Sequence, residues 1–294
     1  MGLSRSVDES AAIERIDAFC DAVPRRRTRA EEHGALVLFV PTGSGWPYYA
    51  RPRRPIAPAE PAEPSGASGG ASGPVGTITA EDIRAVRARQ RELLIPESFE
   101  WIDEAAPAMT AAAPGAGLAA RAHPLMVLTS LAPAPVTEPD ITVRLLSPDE
   151  PELDRIWAVT AVAFGHPGTR AGLAGAIERD KIAADHDEGT MDMLRERLRS
   201  GQSVLAAAFG PDGPLAAGSC QPLAGVAEIT GVGVLPSARR MGLGGAVTAA
   251  LAREALRRGV QTVFLAASDE DVARVYTRLG FERIGTAMIA EPDS

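Results

Sequence analysis

Residues 229–256, ITGVGVLPSARRMGLGGAVTAALAREAL, hold the side chains and spacings best suited to chemistry. A β-rich run passes through Pro236 into a turn with glycines at 242, 244 and 245, and then directly into an Ala/Leu-rich helix. A strand that feeds a helix N-terminus in this way is an anion site. Glycine leaves backbone N–H groups unshielded, and the helix dipole adds positive potential suited to a phosphate or pyrophosphate. Arg239 and Arg240 add charge at the same turn. Spacing then narrows the ligand. A nucleotide-triphosphate loop needs Gly-Lys-Ser/Thr after four intervening residues, and no lysine stands there. The dinucleotide fingerprint needs a glycine at 247 after Gly242 and Gly244, where the chain has Val247.

The same stretch resembles the GNAT acyltransferase family, whose R/Q-x-x-G-x-G/A element is matched by Arg239, Gly242 and Gly244 and preceded by V-x-P at Val234–Pro236. Downstream, VYTRLGFERIG resembles the family's closing helix and strand, in which a Tyr is followed four residues later by Gly-Phe, here Tyr276, Gly280 and Phe281. The resemblance covers roughly residues 139 to 291. It implies an α/β fold with a mixed central β-sheet flanked by helices, and acetyl-CoA as acyl donor with no metal. The donor's pyrophosphate would sit on the backbone of Arg239, Arg240, Met241, Gly242, Leu243, Gly244 and Gly245. Its pantetheine arm would run beside the strand at Val232 and Val234. In this family that strand splays from its neighbour, and Gly231 and Gly233 suit a bulge and a close ligand approach.

Such a reaction is attack by a neutral amine on a thioester, so the site must take a proton from an ammonium and supply one to the departing thiolate. The resemblance makes Tyr276 the proton donor; a phenol keeps its proton at neutral pH. The other reading of Tyr276 is a residue packing its helix against the sheet. Glu228 lies eleven residues before Arg239, the register at which a histone-acetyltransferase branch of the family places its general base. On a strand otherwise built of Val, Ile, Gly and Ala, a carboxylate is partly desolvated and its pKa rises toward that of a working base. The alternatives are a residue on the strand's solvent side, with His166 in FGHPGT or water as the base. Asp269, seven before Tyr276, stands where the family commonly has Asn, which puts that contact in doubt.

The elements that must position these groups follow from pattern. Strand ITVRLL (141–146), a helix over 151–164, a helical stretch over 190–199, and strands SVLAAAFG and PLAAGSCQPL around the turn PDG (211–213) precede the glycine turn. After it come a helix over 241–258, strand TVFLAA (262–267), a helix over 269–279 and a last strand. The segment RDKIAADHDEGTMD reads as a solvated acidic loop. In the first half, GALVLFVP (34–41) and PYYARPR (47–53) read as strands joined through Gly43, Ser44 and Gly45, with Trp46, Tyr48 and Tyr49 as a hydrophobic anchor. Thr79 caps a helix with Asp82 three residues on. SFEWIDEAAPAMTAAAPGAG reads as a helix interrupted by prolines, and LAARAHPLMVLTSL (118–131) as extended. Residues 56–76, rich in Pro, Gly, Ser and Ala, read as a disordered loop. Three prolines in LAPAPVTEPD place the domain boundary near 138. This gives an accessory α/β N-terminal domain (1–138) and a GNAT N-acetyltransferase domain (139–294). The first resembles in outline the reduced, GNAT-like half of some two-part bacterial GNAT proteins; lacking the glycine element, it is expected to bind no CoA.

Composition sets the remaining bounds. The 294 residues are 45% hydrophobic and 23% charged, a soluble globular makeup. With 30 Lys plus Arg against 38 Asp plus Glu, the charge of -8 argues against nucleic acid, including an aminoacyl-tRNA donor. Cys20 and Cys220 are too few for a disulfide framework, and no run of about 18 apolar residues exists, so a cytoplasmic protein away from membranes is expected. The predicted function is transfer of an acetyl group to a primary amine of a small molecule or a peptide or protein, with a homodimer open. The alternatives are a non-catalytic acyl-CoA-binding regulator and a transferase of the same fold that takes its acyl group from an aminoacyl-tRNA.

Overall fold

The computed structural model of the chain describes residues 8–42, 48–54 and 77–292. The loop read at 56–76, the turn at 43–45 and Trp46 lie outside the described residues.

Helix α1 (Glu9–Arg25) buries Ala12, Ile16 and Phe19, spaced four and three residues apart on one face. Strands β1 (Thr28–His33) and β2 (Leu36–Pro41) form a tight hairpin, with His33 opposite Leu36 and Gly34 at φ 56°. Neither α1 nor β1 was legible in the pattern. β3 (Ala50–Pro52) pairs antiparallel with β2. Helix α2 (Ala80–Glu92) starts at Thr79, whose side chain and that of Asp82 close a capping box. The next segment departs from expectation. Phe99–Ile102 is strand β4, because Phe99, Trp101 and Ile102 are bulky side chains that a half-buried sheet surface accommodates. Only Pro107–Ala112 is helical, as α3. β5 (Leu118–Leu128) follows.

The rest of the chain runs β6 (Thr142–Leu145), α4 (Leu153–Phe164), α5 (Ala176–Ala184), α6 (Glu188–Arg199), β7 (Val204–Gly210), β8 (Gly213–Leu223), β9 (Val226–Val234), α7 (Leu243–Arg257), β10 (Thr262–Ala266), α8 (Glu270–Thr277) and β11 (Phe281–Pro292). The acidic segment is not a loop. It forms α5 and the start of α6, with Asp187 capping α6 by accepting from Thr190 N at 2.8 Å.

By contacts the chain forms two compact units, Met1–Phe19 with His123–Gly285 and Cys20–Ala122 with Thr286–Ser294. The boundary expected near 138 lies inside the first of these units. In the first unit β10 pairs with β9 on one side and with β5 on the other, Phe264 opposite Val127 and Leu265 opposite Met126. The reason is burial: Thr262–Leu265 is buried throughout, so both edges of β10 need partners, and the apolar PLMVL supplies one. Phe19 of α1 meets Phe264 edge-on at 5.3 Å. The strand order of this unit is β5-β10-β9-β8-β7-β6, with β9 and β10 parallel and the other pairs antiparallel. Its core joins Ile156, Val159 and Val162 of α4 with Val247 and Leu251 of α7. The second unit orders β1-β2-β3-β4-β11 and has a separate core of Leu36, Leu38, Ile83, Val86, Phe99 and Met109. Tyr49 belongs to this unit and donates from its hydroxyl to Cys20 O. Among the described residues no helix is long and apolar enough to cross a membrane.

Candidate active site

The β9–β10 ladder pairs Val226 with Thr262, Ala227 with Val263 and Glu228 with Phe264, and ends there although β9 continues to Val234 and β10 to Ala266. The two strands part just beyond Glu228. On its other side β9 bulges. Thr230 faces Ser219 and Gly233 faces Ala217, so Gly231 and Val232 together oppose Gly218, with Gly231 at φ 65°. Gly233 serves a different purpose from Gly231: a Cβ there would lie 2.9 Å from Ala163 Cβ and 3.3 Å from Thr160 Cα, so its bareness lets α4 pack on the strand. Val232 and Val234 underlie the start of α7, since a Cβ on Gly244 would lie 3.9 Å from Val232 Cγ1 and 3.3 Å from Val234 Cγ2.

Gly242 takes the N-cap of α7 at φ 76°, and no side chain caps the helix. The N–H groups of Leu243, Gly244 and Gly245 therefore have no intrahelical acceptor, which is the state that receives an anion. Arg240 is exposed at φ 73°, a left-handed conformation rare for a side-chain-bearing residue, and Met241 is exposed beside it. A Cβ on Gly242 would lie 3.3 Å from Pro135, and one on Gly245 would lie 3.1 Å from Pro135 and 3.9 Å from Leu279 Cδ1. The first turn of α7 thus meets both the 131–138 segment and the end of the α8 region. Arg239 departs from the expected charge at the turn: its guanidinium is committed to backbone carbonyls, Val234 O, Arg170 O, Ala163 O and His166 O.

Tyr276 is buried in α8 with its ring 6.0 Å from that of Phe281, and among the described residues its hydroxyl has no hydrogen-bond partner. Burial pushes its phenol up to about 12. Glu228 is half-buried at the fork, and loss of hydration alone pushes its carboxyl up to about 7. Asp269 is explained by its position: it caps α8, accepting from Val272 N at 2.9 Å. His166 is exposed, its Nδ1 3.0 Å from Val162 O. A polar depression of about 660 Å³ lined by Glu152, Arg155, Arg179, Asp180 and Asp212 contains none of these groups. Its arginines are engaged with its own carboxylates and carbonyls.

Residues 212–289, which carry the glycine turn and Tyr276, match the family model described as FR47-like protein. No protein of curated function matches the chain. Among solved structures the chain is similar to a GCN5-related N-acetyltransferase from Kribbella flavida, with 20% identity, a TM-score of 0.63 and 96% of each chain covered. It is also similar to a tandem GNAT protein from the clavulanic acid biosynthesis pathway, with 15% identity and a TM-score of 0.50 over 88% of this chain and 79% of that one. At these identities the likeness is one of fold. The segment that builds the site thus matches the FR47-like model, and over nearly the whole length the chain shares the fold of GNAT proteins, a tandem one among them.

Proposed function

We propose that the chain is an N-acetyltransferase that moves an acetyl group from acetyl-CoA to a primary amine of a small molecule, peptide or protein. The observation that carries this reading is the parting of β9 and β10 at Glu228 beside an uncapped, glycine-lined helix N-terminus. An extended thiol arm enters such a fork, while the phosphates of the same molecule take the N–H groups of residues 243–245.

Glu228, as carboxylate, takes a proton from the substrate ammonium. The amine nitrogen then attacks the thioester carbonyl through a tetrahedral intermediate: the C–N bond forms and the C–S bond breaks. Tyr276 protonates the leaving sulfur, and the second proton shed by the nitrogen as the amide forms restores the phenol. A carboxyl pushed up to about 7 is a stronger base than an ordinary glutamate, yet about half of it is ionised at neutral pH. A phenol at about 12 stays protonated throughout that range.

Acetyl-CoA at millimolar concentration should raise the melting temperature by several degrees, on the order expected for a ligand well above its Kd. No rise would overturn the donor assignment. Free thiol released when acetyl-CoA meets a pool of primary amines, with mass detection of the products, separates the enzyme from an acyl-CoA-binding regulator.

A further inference from the structure

The connection between α4 and α5, residues 165–175, is bound to the turn between β9 and α7 at several points. Arg239 makes two of them, Nη1 donating to Arg170 O at 3.1 Å and Nη2 to His166 O at 2.5 Å; Nη2 also donates to Ala163 O near the end of α4 at 3.2 Å and Nε to Val234 O of β9 at 3.4 Å. The backbone adds two more, Gly172 N donating to Pro236 O and Ser237 N to Ala174 O, both at 3.0 Å. Four carbonyls around one guanidinium need its planar fork of donors, and a lysine ammonium on a single stem cannot reach them together. A guanidinium so engaged has each of its three nitrogens donating to a backbone carbonyl.

We propose that Arg239 is a positioning residue: its side chain latches the 165–175 connection to the donor turn, so that turn and connection move as one unit, and it is not a ligand of the donor's phosphates. The inference rests on the donor site proposed above. It distinguishes two arginines adjacent in sequence: Arg240 is exposed, with no side-chain partner among the described residues, while Arg239 is a brace. Binding of the donor then orders a loop that its phosphates do not touch.

The test uses full-length Arg239→Lys and Arg239→Gln with coenzyme A as probe. Both variants should speed amide exchange across 165–174 by about tenfold or more, because the latch is a local stability element. Both should weaken coenzyme A to the same extent, and the dependence of affinity on salt should match that of the unmodified protein. At saturating coenzyme A the unmodified protein should gain protection at 165–174 and the variants should not. Affinity restored by lysine but not by glutamine would make Arg239 a phosphate ligand and overturn the proposal, as would unchanged exchange in the connection. If neither variant folds, equal exchange at 165–174 in the unmodified protein with and without coenzyme A overturns it. Failure of the unmodified protein to bind coenzyme A at all would instead sink the donor reading, and the exchange difference between it and the variants would still decide the latch.

Discussion

Glu228 is the residue whose environment does most to define the chemistry. Its carboxyl is raised from an ordinary 4.5 to about 7 by loss of hydration. Turnover should therefore rise with a single ionisation near pH 7, and Glu228→Gln should lose that limb and about ten- to a hundredfold in kcat. The same shift has a stability consequence. Between pH 4.5 and 7 the folded state holds a proton that the unfolded chain has released, so stability falls as pH rises through that window. Discounted for partial exposure, the effect is on the order of 1–2 kcal/mol. Chemical denaturation at pH 5 and pH 8 should show Glu228→Gln more stable than the parent only at the higher pH. Tyr276→Phe should lower turnover by about tenfold or more with coenzyme A affinity nearly intact; unchanged turnover removes Tyr276 from the mechanism. Both positions were singled out in the sequence, Tyr276 by a local motif and Glu228 by its distance from Arg239. The partners of Arg239 were not, because a guanidinium spends its donors on whichever carbonyls the fold brings near.

At the scale of elements, the strand–turn–helix proposed to hold the donor is local, and so its glycines could be read directly. Gly242→Val should abolish coenzyme A binding measured by calorimetry. A β-branched residue at φ 76° is strained, and its Cβ would press on Pro135. Retained binding would mean the phosphate site lies elsewhere. The capping box of α2 and the PDG hairpin were legible for the same reason: three or four consecutive residues carry the whole signal. β4 was misread because an Ala-rich stretch follows Phe99–Ile102 and swamped four strand residues. The acidic segment was misread because composition hid its bonding. Asp180 accepts from Arg155 and Arg179, which hold its carboxyl down at about 2, and Asp187 caps α6.

Across the whole molecule, the decisive feature is that the sheet around the donor fork is completed by a strand from the N-terminal half. Residues 139–294 made alone lack β5 and leave one edge of β10 bare, so that fragment should aggregate more readily than the full chain. A soluble, acetyl-CoA-binding fragment would show that β5 is dispensable. The contact at Gly280 makes the same dependence visible: at φ 92° a Cβ would overlap Ser130 O, in the segment that follows β5. The charge of -8 argues against a broad basic face, yet it says nothing against a polyanion held by backbone N–H groups at one turn.

By itself the sequence determined the glycine turn, its helix and the order of the C-terminal elements, because glycine conformation, caps and hydrophobic period act over a few residues. Only the tertiary structure decided that β5 closes the sheet beside β10, that Gly233 makes room for α4, and that Arg239 braces a loop. Strand neighbours, close packing and the partners of a long polar side chain join residues far apart in sequence, and no local pattern encodes which of many chemically equal partners the fold brings within reach.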